Sequence, residues 1–317
     1  MSKIALFGAA GAIGQSIASA LKSLQRDYRV VGRSEAGLRA AFGGDPRAEM
    51  VIWNPDDPAS VRAAAKDVDT LVYLVGVDYT KFELHPVLMR KTLDGAIAGG
   101  VQRVVLIGTV YPYGRALTHP VREDHARNPN TFKGRMRKEQ EDILLEADAA
   151  GKIRGTILRL PDFYGPGVDK SFLHSIFVAA ARGRRAQVIG PIGKLHEYIY
   201  VPDVGPVVVA LADAPGAYGR WWHLAGPGTI TIREVAAKSF ALVGRGPKMM
   251  VASKITLQLV GLFNPFMREV AEMHYLVTEP LVLDDSALHS LIGEVKKTPY
   301  DEGIRQSVEA AKREIVN

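Results

Sequence analysis

Cysteine is absent from the 317-residue chain, which excludes disulfides and any thiolate nucleophile. That absence fits a reducing compartment, and a cytoplasmic location is the expectation. Long apolar runs are missing as well. None reaches the ~18 residues a membrane helix needs, and the first residues read as a strand and not as a signal peptide, so no membrane partner is expected. The histidines lack close pairing, with His119 and His125 in a Pro/Asn-rich loop, so no metal site is expected. Basic stripes interleaved with aromatics are also lacking. Arg182-Gly183-Arg184-Arg185 is the densest basic run, but it follows an amphipathic segment and reads as a solvated helix end, so nucleic acid is not expected. The formal net charge of +6 suits an acidic ligand or reflects surface bias.

What is present begins at the first stretch. Lys3-Ile4-Ala5-Leu6-Phe7 is a short apolar strand that runs into Gly8-Ala9-Ala10-Gly11-Ala12-Ile13-Gly14, after which Gln15 to Leu24 show helical periodicity. Strand, glycine turn and helix in this order make a pyrophosphate cradle. Gly8 permits the tight turn, Gly11 lets backbone approach the phosphates, and Gly14 lets helix pack on strand. Ala10, Ala12 and Ile13 lie in the same loop, where free N–H groups and the positive helix end meet the diphosphate.

Tyr28 to Gly32 reads as the second strand, and its end faces the adenosine ribose in such a fold. An acid there would accept from a 2′-hydroxyl. This chain instead has Arg33-Ser34, with no acid until Glu35, and a fork of donors suits a 2′-phosphate. NADP is therefore expected in preference to NAD, although an exposed loop arginine is the plainer alternative. Asn54 and Pro55 follow a third strand, where a side chain can meet the adenine edge. Thr70 to Val75 is a buried parallel strand leading to Gly76, then a helix spans about Phe82 to Ala98. Arg103 to Ile107 is the next strand, and it places Thr109, Tyr111 and Tyr113 at a carboxyl end, where open parallel sheets keep their chemistry. Helical spacing returns from Phe132 to Ala149, and Thr156 to Leu160 is a further strand, followed by Pro161-Asp162-Phe163-Tyr164. Later segments mix short strands (198–201, 221–224) with helices (204–213, 232–243, 254–262). The expected class is α/β: a Rossmann-type doubly wound parallel sheet over residues 1–160, then a smaller mixed α/β substrate domain over 161–317, part of which returns to pack on the sheet.

These landmarks resemble the extended short-chain dehydrogenase/reductases, the NAD(P)-dependent epimerase/dehydratase family, over most of the chain. The glycine motif at Gly8 to Gly14, the turn at Asn54-Pro55, the strand end Leu74-Val75-Gly76, and Thr109 followed by Tyr113-Gly114 carry the likeness. So do the segments Arg159 to Pro166 and Tyr198 to Val204. The resemblance implies a nicotinamide cofactor held by these residues and by Pro161, with Thr109 as the catalytic hydroxyl. The family's proton donor lies in Tyr-x-x-x-Lys. Here that window is Lys133-Gly134-Arg135-Met136-Arg137, with lysine in the tyrosine slot and arginine in the lysine slot. Lys133, or one of Tyr111, Tyr113 and Tyr164, is then expected to supply the proton, and Arg137 to order the ribose. A solvated basic helix face is the competing reading of that window.

Asp162 stands where the family often has asparagine, and His196 where nucleotide-sugar enzymes commonly have arginine. Both argue for a small carbonyl or alcohol substrate other than a nucleotide sugar. Lys254 to Tyr275, rich in leucine and phenylalanine, either lines an apolar pocket or is core. The expectation is an NADP-dependent oxidoreductase or epimerase/dehydratase, monomeric or homodimeric; the alternative is a cofactor-binding sensor without catalysis.

Overall fold

The computed structural model describes residues 3–316. Strand and helix alternate strictly at first: β1 (Ile4–Phe7), α1 (Ala12–Ser23), β2 (Tyr28–Gly32), α2 (Glu35–Phe42), β3 (Ala48–Ile52), α3 (Pro58–Ala65), β4 (Thr70–Tyr73), α4 (Leu84–Ala98), β5 (Arg103–Thr109), α5 (Phe132–Ala149) and β6 (Arg154–Leu160). The helix starts are written in short polar side chains. Ser34 accepts from the Gly37 N–H, Asp57 from Ala59 ahead of Pro58, and Thr131 from Gly134, so α2, α3 and α5 each begin on a capped turn.

The second half is less regular: β7 (Asp162–Tyr164), α6 (His174–Arg182), β8 (Ala186–Ile189), β9 (Leu195–Tyr200), α7 (Val201–Asp213), β10 (Arg220–His223), β11 (Thr229–Thr231), α8 (Ile232–Ala241), β12 (Met249–Ala252), α9 (Lys254–Gly261), α10 (Pro265–Glu272), α11 (Tyr275–Thr278), α12 (Ser286–Ile292) and α13 (Tyr300–Val316).

One seven-stranded sheet runs β10-β6-β5-β4-β1-β2-β3, with every pair parallel. Each crossover must then carry a helix onto one face, and the apolar residues divide accordingly. Ile17 and Leu21 of α1 pack with Val208 and Leu211 of α7 against Leu6 and Leu158. On the other face, Val61, Leu93 and Leu144 cover Ala5, Phe7 and Leu71. The order of the strands reverses between β1 and β4, and a crevice opens outside their carboxyl ends. A smaller body stands beside it: a three-stranded sheet β11-β9-β7 and a two-stranded pair β12-β8, packed with α6, α8 and α13. The doubly wound sheet with a smaller mixed α/β region is thus the fold.

The leucine- and phenylalanine-rich segment 254–275 departs from both sequence expectations. Leu257 is buried, but Leu259, Leu262, Phe263 and Phe266 face solvent, so most of the segment is neither pocket lining nor core. The reason is local. A short helical hairpin can bury only the side turned to the body, and here the bulky residues occupy the other side.

Candidate active site

The crevice at the strand reversal is a cleft of about 1030 Å³, bounded by the glycine loop, the ends of β4 and β5, and α5. Its floor is the opening turn. Gly8 has φ +86°, and a Cβ there would come within 2.8 Å of the Val75 nitrogen, so this turn accepts glycine alone. At Gly14 a Cβ would stand 2.0 Å from the Ala9 carbonyl oxygen, which fixes how closely α1 approaches β1. A Cβ at Gly11, by contrast, would meet nothing within 4 Å. Its missing side chain leaves space on the cleft side. α1 begins at Gly11 with neither a capping side chain nor an acid in its first turn, so its leading N–H groups stay available to an anion. Gly8, Ala10, Gly11, Ala12, Ile13, Leu74, Val75 and Gly76 all line this cleft.

Arg33 and Ser34 lie exposed at the end of β2, and the Ser34 oxygen caps α2. Asn54 is also engaged locally: its side-chain oxygen accepts from the Asp56 N–H at 3.0 Å. Pro55 is buried beside it, and Pro161 is buried between β6 and β7.

Thr109, Tyr111 and Arg137 converge on the cleft. Thr109 ends β5, and its Oγ1 lies 3.4 Å from the Tyr111 N–H. Arg137 is buried; it donates to the Ile107 carbonyl at 3.0 Å, and its Nη1 stands 3.2 Å from His85 Nδ1. It forms no ion pair among the described residues. Burial of the ring, and secondarily the Arg137 charge beside it, push the His85 pKa down to about 2. Arg137 is therefore a fixed positive charge facing the cleft.

Tyr111 stacks on Phe82 with ring centroids 6.3 Å apart, and borders a second, closed chamber as well as the cleft. That chamber is apolar apart from Asp162, His196 and the two phenols Tyr111 and Tyr198; Ile189, Met273 and Val277 form much of its wall. Burial, and secondarily the charge of Asp162, raise the Tyr111 hydroxyl to about 12. Burial alone pushes the Asp162 carboxyl up to about 6, and burial lowers His196 to about 4. A third pocket, of about 510 Å³, is lined by His119, Lys194 and Glu279 among others.

Lys133 is placed differently. It opens α5, one turn before Arg137, and is wholly buried, yet it does not border the cleft. Its Nζ donates to Glu272 at 2.6 Å and to Glu269, both on α10, and lies 4.9 Å from the Tyr79 ring centre. The nitrogen is thus spent on fastening α10 to the start of α5. Tyr113 and Tyr164 are buried away from the cleft; the Tyr113 hydroxyl meets His223 Nε2 at 2.5 Å. Asp162 stood out in the sequence only as a departure from the family's asparagine, and Phe82 and His85, around the start of α4, had no motif to announce them.

Comparison with known proteins bears on this geometry. Residues 4–221 match the model of the NAD dependent epimerase/dehydratase family. A dTDP-6-deoxy-L-talose 4-dehydrogenase (NAD(P)(+)) of Kitasatospora kifunensis is 27% identical over 231 residues, covering 67% of this chain and 70% of the relative. A probable dTDP-4,6-dihydroxy-2-methyloxan-3-one 4-ketoreductase of Streptomyces antibioticus is 22% identical over 251 residues, covering 76% and 77%. Among solved structures, MoeE5 in complex with UDP-glucose and NAD superimposes with a TM-score of 0.82 at 20% identity, over 99% of both chains. These relatives overturn the expectation of a substrate other than a nucleotide sugar. Diphosphate recognition does not hang on the single position of His196, since Lys194, two residues before it, lines a further pocket.

Proposed function

This chain belongs to the NAD dependent epimerase/dehydratase family and is an NAD(P)-dependent enzyme of that kind, and on this premise we propose that it oxidises, reduces or epimerises a carbinol carbon of a dTDP- or UDP-linked sugar, with NADP(H) as the preferred cofactor. The observation that carries the reading is Tyr111, which borders both the cofactor cleft and the closed chamber. A reacting carbon at this edge of the cleft lies within reach of its phenol. The nicotinamide supplies the hydride chemistry when bound. The glycine loop and the start of α1 hold the pyrophosphate, Arg33 and the Ser34 hydroxyl meet the 2′-phosphate, and Arg137 holds the ribose. Thr109 donates to the sugar oxygen and so orients it.

Tyr111 holds the proton that this oxygen gains or loses. Arg137 favours the phenolate that remains and Asp162 opposes it, so the balance between them sets how readily the phenol yields its proton. Lys133 serves as an anchor in this reading, since two carboxylates engage its ammonium. The chamber itself offers only about 20 Å³, room for a water, so the sugar lies against Tyr111 within the cleft, and its diphosphate reaches toward Lys194 and His119.

The binding half of this reading is tested by titrating dTDP and UDP onto the NADP-loaded protein. Lys194→Ala should weaken both about tenfold, as expected for one lost charge-assisted contact. Equal affinity in wild type and variant removes the outer pocket from the nucleotide's path.

A further inference from the structure

Among the described residues no helix is long and apolar enough to cross a membrane. That leaves open whether one lies on a membrane, and the hairpin of α9 and α10 has the required anatomy. On α9 and its C-cap, Ile255, Leu259 and Leu262 form a stripe at i, i+4 and i+7, and they are 69%, 60% and 73% exposed. The opposite side of the same helix, Leu257 and Gly261, is the buried one. The helix therefore turns a leucine-rich face outward. Phe263 at the bend is 89% exposed, the largest exposure among the exposed bulky apolar residues, and Phe266 extends the patch onto α10. An isolated exposed leucine needs no account; a contiguous apolar face of this kind does.

Charge distinguishes the possible occupants. From residue 244 to 268 there is no aspartate or glutamate, while Arg245, Lys248, Lys254 and Arg268 are all cationic. The Arg245 guanidinium lies against Gly183, and the Ala186 N–H donates to the Lys248 carbonyl at 2.8 Å. The basic approach to β12 is thereby brought beside Arg184 and Arg185, which lead into β8. Exposed Met250 and Val251 carry the apolar surface from this basic end to α9. A two-fold pairing of this face with its own copy would set cations against cations. An anionic lipid surface accepts both features, burying the apolar stripe at the acyl boundary and neutralising the cations at the headgroups.

We propose that the α9–α10 hairpin, together with the basic ends of β8 and β12, docks this protein on an anionic bilayer surface. The stripe lies in the interface plane with Phe263 at its deepest point, and no segment crosses the bilayer. The proposal is independent of the substrate assignment.

The test is co-sedimentation of the full chain with phosphatidylcholine vesicles, with and without phosphatidylglycerol. Binding should require the anionic lipid, fall at least tenfold at high salt, and fall at least tenfold in Phe263→Ser and in Arg184→Glu/Arg185→Glu. Because Phe263 is so exposed, Phe263→Ser should retain wild-type circular dichroism and NADP affinity, which separates lost docking from lost folding. Absence of sedimentation with anionic vesicles overturns the proposal, as does equal binding to neutral ones. A concentration-dependent dimer that Phe263→Ser disperses, without vesicle binding, assigns the face to a second copy and also overturns it.

Discussion

Lys133 and Arg137 stand one helical turn apart on α5 and do different work. Both are buried cations, but Lys133 is paired with two carboxylates, whereas Arg137 meets a carbonyl and a neutral imidazole. The sequence marked both positions but was silent on this difference, because the partners of Lys133 come from α10, more than 130 residues downstream. Removing each group should separate the roles. Tyr111→Phe should lower kcat by about 10²–10⁴-fold while leaving NADP affinity unchanged. Lys133→Met should instead leave two carboxylates facing one another and cost about 2–4 kcal/mol of stability, read by chemical denaturation. If Lys133→Met is as stable as wild type but inactive, the assignments must be exchanged.

Asp162 offers a test through pH. Its carboxyl is raised by burial from 3.8 to about 6, so the folded chain holds a proton that the unfolded chain has already released. That contribution is complete below the unfolded pKa and is lost as pH rises through the folded one. Relative to wild type, Asp162→Asn should therefore gain about 3 kcal/mol of stability between pH 3 and pH 8. A constant difference across this range would mean that Asp162 is not the titrating group.

The opening strand, turn and helix show which parts of an element the sequence states. Gly8 and Gly14 answer local steric demands, whereas Gly11 leaves open space on the cleft side. Their consequences differ, as a substituted pair can demonstrate. Gly11→Val should keep the circular dichroism spectrum and lose NADP binding, since its side chain would enter only open cleft. Gly14→Ala should destabilise the fold by more than about 2 kcal/mol, because its Cβ would collide with the Ala9 carbonyl. Unchanged calorimetric binding in Gly11→Val would mean that the cradle is misassigned. The α9–α10 hairpin is the opposite case. Its periodicity announced helices, but amphipathicity alone does not say which side faces the body. The bulky stripe, which a core helix would turn inward, faces out.

The molecule as a whole divides along the same line. The strict alternation up to β6 follows from helix-covered parallel strands, and such a sheet is readable because every crossover must repeat the pattern. The second half interleaves β10 and α7 with the large sheet and leaves β7, β9 and β11 in the small one. Short strands joined across such distances carry little local signal. The chamber beside Tyr111 is assembled from that half, and so the chemistry of its walls was the least legible part of the site.

At every scale the proposal is that Tyr111 works at the edge of a cleft that takes both the dinucleotide and a nucleotide-linked sugar. It is tested most directly by following nicotinamide absorbance with dTDP- and UDP-linked 4-ketohexoses, in wild type, Tyr111→Phe and Arg33→Ala. The account predicts NADPH oxidation by wild type in preference to NADH oxidation, near-complete loss in Tyr111→Phe, and equal use of the two cofactors in Arg33→Ala. Turnover of nucleotide-linked ketosugars by Tyr111→Phe at the wild-type rate, or turnover by wild type of unlinked carbonyl compounds alone, would contradict it.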